Sequence, residues 1–316
     1  GGIILDKIAF LFPGQGSQKV GMGFDLYQEY DVVRELFDMA EEIARINLAR
    51  LCFKGPMEDL TQTVNLQPAL TVVNLSCLAA IQREGVEPDI SAGHSLGEFS
   101  ALFASEVVSA EDAFRLVIKR GELMHRESTK HLGTMHAVIG LSMDTIQSLV
   151  DEIQPVGSVS IANHNTEDQI VITGAHDPVQ KVSSQAALQG AKVVPLKVSG
   201  AWHSDLMKGA EDEFKDFIFS LTFNEPKRTL LHNVTADSAS NPQEIKSIMA
   251  RHLCNPVKWY DSMQKLIEEK VNTIVEVGSG KVLTGLFKKI VPKDYPCRIF
   301  YVNNMKDLER FMHGMT

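Results

Sequence analysis

No two cysteines in this chain stand close enough to form a C-x-x-C unit: Cys52, Cys77, Cys254 and Cys297 are scattered along 316 residues. That spacing argues against a disulfide frame and a zinc site and reads as buried thiols in a reducing cytosol, so no metal is expected. An excess of positive charge is also missing. Lys and Arg number 31 against 40 Asp and Glu, a net charge of −9, so nucleic acid is not expected as the main partner. A small anionic substrate stays open, because a local cationic site can exist in an acidic protein. Long hydrophobic runs are missing too. The run Ile8–Phe12 is too short for the core of a signal peptide, and Asp6 and Lys7 interrupt it upstream. No stretch reads as approaching the length of a membrane span. Neither an internal repeat nor a low-complexity segment is found. Gly1-Gly2 stands where an initiator methionine would, in the manner of a cloning remnant. A soluble cytoplasmic protein with no membrane partner is the expectation.

What the chain does contain begins with an ordinary globular composition, 44% hydrophobic and 22% charged, and enough length for one large core or two domains. Its most informative stretch is Gly93-His94-Ser95-Leu96-Gly97, of the form G-x-S-x-G. A short apolar strand runs into it, and Glu98-Phe99-Ser100-Ala101-Leu102-Phe103 follows with helical character. Such a turn holds the serine on a strained elbow and lifts its hydroxyl clear of the backbone. The glycines remove side chains that would collide at so sharp a bend. Free N–H groups at the start of the following helix point to the same spot, ready to meet a negative oxygen. The stretch predicts a nucleophile; the alternative is a Gly-Ser turn with no chemistry.

Around the elbow, strands and helices alternate. Residues 7–12 read as a buried strand entering the glycine-rich turn Pro13-Gly14-Gln15-Gly16-Ser17. Helical patterns follow at 34–49 and 68–82, then a strand at 89–93. A helix over 110–126 has Ala113, Phe114, Val117 and Ile118 on one side, Ser109 as N-cap, and Glu111 and Asp112 in its first turn. From about 129 to 198 the character changes. Strands at 134–141, 158–163, 169–173 and 191–198 and helices at 142–152 and 177–187 give the order β-α-β-β-α-β, the ferredoxin-like arrangement. A helix, a strand at Thr273–Val277 and a helix at 281–291 resume the first pattern after Ser199. The expected fold is α/β: a large domain with a mostly parallel sheet (1–128 and 199–316) and an inserted ferredoxin-like small domain (129–198). A cleft between two such domains is a usual place for a substrate.

A serine hydroxyl needs a base to become a nucleophile. Among ten histidines, His203 in Gly200-Ala201-Trp202-His203-Ser204 is the best placed, at the return from the small domain and flanked by small residues; the alternative is a helix-start histidine bonded to solvent. His94 is a rival, but neighbours around an elbow usually point apart. An acyl-transfer site also needs donors for an oxyanion. The amide of Leu96 is the expected first donor, and the loop Pro13-Gly14-Gln15-Gly16 is suited to give the second. That loop lacks the G-K-S/T ending of a phosphate loop, which argues against an NTPase. Arg120, in Lys119-Arg120-Gly121-Glu122, reads as lying near a helix end. It is either a solvated charge favourable to the helix dipole or, facing the cleft, a planar fork for a carboxylate.

Six motifs in order then point to a family: Phe12-Pro13-Gly14-Gln15-Gly16-Ser17-Gln18, Gly93-His94-Ser95-Leu96-Gly97-Glu98, Arg120-Gly121, Gly200-Ala201-Trp202-His203-Ser204, Asn255-Pro256-Val257-Lys258-Trp259 and the run from Glu276 to Leu286. Together they resemble the malonyl-CoA:acyl carrier protein transacylases, over essentially the whole chain. The resemblance implies an α/β-hydrolase-like large domain around the insert. It implies Ser95 as the residue that becomes malonylated, His203 as general base, and Gln15 and Leu96 as backbone donors of the oxyanion hole. Arg120 would pair with the malonyl carboxylate, and Gln67 and Asn163 would be polar groups near the pocket. A backbone carbonyl three residues before the Asn-Pro pair would orient the histidine. That position is His252, where glutamine is common, and since only the carbonyl acts the role is expected to survive. Trp202 stands where malonyl-specific members usually have phenylalanine; it either narrows or shifts the pocket, or packs against the large domain and changes nothing.

The activity so implied is ping-pong transfer of malonyl from malonyl-CoA to the phosphopantetheine thiol of an acyl carrier protein. No permanently bound cofactor is expected, and a monomer is. Carrier proteins are acidic, so docking on this acidic chain needs a local basic patch, for which Lys54, Lys181, Lys192, Lys281, Lys288 and Lys289 are candidates. The competing readings are a free-standing acyltransferase of a polyketide assembly line, with the same chemistry, and a hydrolase that clears acyl groups from carrier proteins. A carboxylate clamp would be of no use to the hydrolase.

Overall fold

A computed structural model describes residues 6–316; the Gly1-Gly2 start and the first five positions of the expected large domain lie outside them. Nine strands occur among the described residues: β1 (Ile8–Phe12), β2 (Ile90–Gly93), β3 (Thr134–Ile139), β4 (Val159–Thr166), β5 (Gln169–Gly174), β6 (Lys192–Pro195), β7 (Thr229–Leu231), β8 (Thr273–Val277) and β9 (Arg298–Val302). They form two sheets.

The first sheet is parallel, in the order β7-β2-β1-β8-β9. Its central strands β1, β2 and β8 are buried throughout, as strands of a sheet covered on both faces must be. The alternation of side chains sorts them between two cores. Phe10 and Phe12 enter the larger one and Ala9 and Leu11 the smaller. Phe12 pairs with Gly93 at the carboxyl ends of β1 and β2, so the loops that follow these strands emerge side by side. In an open α/β sheet that edge is where ligands bind.

The second sheet is antiparallel, in the order β4-β5-β3-β6, with Met143–Ile153 and His176–Leu188 packed on it around a separate core that includes Val138, Ile146, Ile172 and Val182. With its β-α-β-β-α-β chain order this is the ferredoxin-like arrangement. The chain is therefore α/β with a large parallel-sheet unit and a smaller antiparallel one.

Several sequence expectations need correction. The helix expected over 34–49 is two, Asp31–Ala44 and Leu48–Lys54, separated at Arg45, whose φ of 56° is left-handed, and restarted by Asn47 as N-cap. The helix expected at 68–82 is Thr63–Arg83, with Pro68 inside its second turn. Contrary to the expectation, this helix is long and apolar enough to cross a membrane by length and composition, yet 83% of its apolar window is buried. It is a core helix lying between other elements. The helix after Ser109 runs on to Lys130, past the expected seam at 128. Edge strands β7 and β9 and the Met305–Met315 helix went unread. All four cysteines are free; Cys52 and Cys77 are buried as expected, whereas Cys254 and Cys297 are half-buried.

Candidate active site

Ser95 sits between the carboxyl end of β2 and the Gly97–Ala104 helix with φ 52°, a conformation non-glycine residues hold only when their surroundings impose it. Three bonds impose it here. Gly97 N–H donates to His94 O at 2.9 Å, Glu98 N–H to Ser95 O at 3.0 Å, and Ser95 N–H to Asn233 Oδ1 at 2.8 Å. Glycine at 97 is required by space, since a Cβ there would stand 2.0 Å from Phe12 O. Gly14 plays the same part in the neighbouring loop, where a Cβ would meet His94 O at 2.6 Å. The Gln15 loop is thus pressed against the elbow, beside the amide of Leu96 at the helix start. Both residues expected as oxyanion donors therefore stand at one junction.

His203 is brought to Ser95 from a distant segment. Its Nε2 lies 2.8 Å from Ser95 Oγ, and its Nδ1 faces two carbonyls, His252 O and Asn255 O, both at 3.1 Å. Two acceptors on Nδ1 fix the proton there and leave Nε2 with its lone pair toward the serine. Burial, helped by the positive charge of Arg120, pulls this imidazole down to about 3, against the opposing pull of the two carbonyls. It is neutral at neutral pH and free to accept a proton. His203 shares the left-handed backbone of Ser95, at φ 63°. The carbonyl of His252 stands where the resemblance put it; that of Asn255 was missed.

Arg120 corrects the sequence reading of its surroundings. It lies mid-helix, not near an end, and only 2% of it is exposed. Its Nη1 donates to Gln67 Oε1 at 3.0 Å and its Nη2 to Ser95 Oγ at 3.1 Å, while its Nε has no partner. The guanidinium lies over the ring of Phe99 at 5.6 Å. Burial pulls it down to about 9, with the Glu98 charge opposing, so it is cationic at neutral pH. A buried cation with an idle donor is costly until an anion meets it.

The remaining candidates separate. Gln67 is buried, bridging Arg120 and, through Nε2, Met124 Sδ at 3.1 Å. Asn163 lines a cavity of about 170 Å³ together with Gln15, His94, Asn165 and Leu286, and its Oδ1 has no partner. Trp202 is buried in the larger core, which also takes in Met135, Ala137, Ala162 and Val171 of the small unit, and its ring is so close over Gly200 that a Cβ there would stand 2.7 Å from it. His94 bonds Asn165 Oδ1 through Nε2 at 2.7 Å and lies edge-on to the Trp259 ring. Of the six lysines, Lys281 precedes the Val282–Ile290 helix and Lys288 and Lys289 lie in its last turn; its Val282, Leu283 and Leu286 line the same cavity. Among the described residues no three His, Cys, Asp or Glu side chains are arranged to hold a metal ion. Asn233 was unforeseen. It holds Ser95 from 138 residues away, and no motif marks it.

Comparison with known proteins places the chain among acyl transferases. The acyl transferase domain family matches residues 9–308. A malonyl CoA-acyl carrier protein transacylase of Bacillus subtilis (strain 168) is 41% identical over 288 residues, covering 90% of this chain and 91% of that protein. The polyketide biosynthesis malonyl CoA-acyl carrier protein transacylase PksC of the same organism is 42% identical over 286 residues, covering 90% and 96%. Among solved structures, a malonyl-transacylase in complex with its type II PKS acyl-carrier protein superposes with a TM-score of 0.93 at 34% identity, covering 98% of this chain and 100% of that one.

Proposed function

The chain belongs to the acyl transferase domain family, with malonyl CoA-acyl carrier protein transacylases as its relatives, and from that premise we propose that it moves a malonyl group from malonyl-CoA to the phosphopantetheine thiol of an acyl carrier protein. Ser95 is the nucleophile. As its Oγ attacks the thioester carbon, its proton passes to His203 Nε2. The tetrahedral oxygen takes the amides of Gln15 and Leu96. The C–S bond breaks, and the CoA sulfur leaves with the proton from His203. In the second half the carrier thiol gives its proton to His203, attacks the malonyl-Ser95 ester, and Ser95 Oγ regains the proton. The order is ping-pong.

One observation carries the substrate choice: the buried Arg120 guanidinium, 3.1 Å from Ser95 Oγ, with an idle Nε–H. A malonyl carboxylate is planar and fits that fork through two parallel hydrogen bonds. Binding it also neutralises the positive charge that helps hold His203 down, so the base strengthens as the correct substrate arrives. A general acyl hydrolase gains nothing from such a clamp. The fatty-acid and polyketide settings share every one of these steps, and relatives of both descriptions match.

The proposal extends to a monomer, since one chain supplies every group named, with no resident cofactor. The four free thiols support a reducing, cytoplasmic compartment. Intact mass after incubation with malonyl-CoA, and again after adding holo carrier protein, tests the reading. A malonyl adduct on Ser95 that moves to the carrier is expected. No adduct, or acetyl loading from acetyl-CoA followed by rapid loss to water, would overturn it.

A further inference from the structure

Beneath the elbow lies a carboxylate that the steps above do not use. Glu98 is fully buried. Its Oε1 accepts the backbone N–H of Asn233 at 2.7 Å, and its Oε2 accepts from His232 Nδ1 at 3.0 Å. His252 Nε2 stands 3.6 Å from Oε1. Two of these neighbours, Asn233 and His252, each lead to one member of the reacting pair. Asn233 spans the elbow, with Oδ1 accepting the Ser95 N–H at 2.8 Å and Nδ2 donating to Gly93 O at 2.7 Å. His252 supplies a carbonyl to His203 Nδ1, and its ring lies edge-on to the His203 ring, centroids 5.7 Å apart. Neither ring nitrogen has a hydrogen-bond partner, and Nε2 is the one that faces Glu98.

We propose that Glu98 is a positioning residue for the acyl transfer, tying the support of the nucleophile and the support of the base to one buried side chain. Ser95 and His203 are both held at positive φ, conformations that relax unless their surroundings over-determine them. Their 2.8 Å contact joins segments 108 residues apart. Glu98 lies three residues after Ser95 on a rigid helix, so both supports are referred to the nucleophile's own element. A carboxyl group so deeply buried is retained at a cost, and here its two oxygens have an evident use. The inference rests on the transacylase reading.

The test follows malonyl loading from malonyl-CoA by rapid-quench intact mass in the full-length protein. This reads separately the fraction of chains that load and the rate per competent chain. Glu98→Ala and Asn233→Ala are each expected to slow the rate per competent chain by about 10- to 100-fold, the order a misplacement of roughly 1 Å produces. Glu98→Gln should stay close to wild type, because its amide oxygen keeps the Asn233 N–H. The Glu98→Ala/Asn233→Ala double variant should lose less than the product of the two single losses, since the two residues share the path to Ser95. An unchanged rate per competent chain in either alanine variant overturns the proposal. So does a Glu98→Gln rate as low as that of Glu98→Ala, or multiplying losses in the double variant. If Glu98→Ala does not fold, Asn233→Ala and Glu98→Gln decide. Failure of the wild type to load would instead overturn the transacylase reading.

Discussion

Arg120 brings a positive charge to a place where water cannot reach it, and two consequences follow at the scale of the single residue. Arg120→Ala should depress malonyl loading more than acetyl loading, because only the malonyl group carries the matching carboxylate; equal losses would remove the clamp from the mechanism. The same change deletes the charge that helps hold His203 down. The His203 pKa then rises, and the acid limb of the kcat/KM profile, followed with acetyl-CoA, moves to higher pH. An unmoved limb would sever Arg120 from the base. Ser95, His203 and Arg120 could be named from the chain because each sits in a short motif with its own local logic. Asn233 and Asn255 could not. Each contributes a single acceptor from a turn, and an acceptor's usefulness depends only on where the turn ends up.

At the scale of the element, the elbow is fixed by backbone proximity. Gly97→Ala would put a Cβ 2.0 Å from Phe12 O, which must push the helix away from β1. A lowered Tm together with at least a ten-fold loss of malonyl loading is expected, and a variant with wild-type loading would contradict this packing. Ser109, by contrast, caps the Ala110–Lys130 helix by accepting the Asp112 N–H at 3.1 Å, far along the helix from Arg120. Ser109→Ala should cost about 1 kcal/mol in denaturant unfolding and leave loading unchanged. That cap was readable because its signal is confined to four residues. Strand β7 was not, having three residues and an exposed first one, too few for any period to show. The Thr63–Arg83 start was misread because Pro68 looks like a first-turn residue. In the fold the chain enters the helix five residues earlier, and Pro68 forfeits one backbone bond inside a helix held by packing on most sides.

For the whole molecule, pH and charge make the tests. His203, His252, His94 and His136 all have pKa values lowered by burial. Unfolding frees them to take up protons below their ordinary pKa of about 6.5, so stability present above that pH is lost as pH falls through it. Glu276 works in the opposite sense. Burial raises it to about 7, so its protonated folded form favours the fold at lower pH, and that contribution fades as pH rises from the unfolded carboxylate range through 7. Four groups against one leave a net fall in Tm from pH 6.5 to 5; a flat or rising Tm would mean these histidines are solvated. Charge concerns the carrier. Lys288→Glu with Lys289→Glu, on the helix that lines the cavity beside Gln15, should slow transfer to an acidic carrier protein while leaving loading from malonyl-CoA intact. Equal effects on both halves would place docking elsewhere.

The sequence by itself determined what is local: the strained serine turn, the buried strands, the helix caps, the ferredoxin-like order of the small unit, and the motifs that mark the family. These follow from the chemistry of neighbouring residues and need no knowledge of the rest of the chain. Only the tertiary structure decided that Arg120 is buried and not solvated, that Trp202 packs into the core, that Asn233 holds Ser95, and that Glu98 stands between the supports of Ser95 and His203. Those facts depend on groups up to 140 residues apart arriving within hydrogen-bond distance. Burial, the field of a neighbouring charge and the partner of a lone donor are properties of that arrival, and no spacing along the chain encodes them.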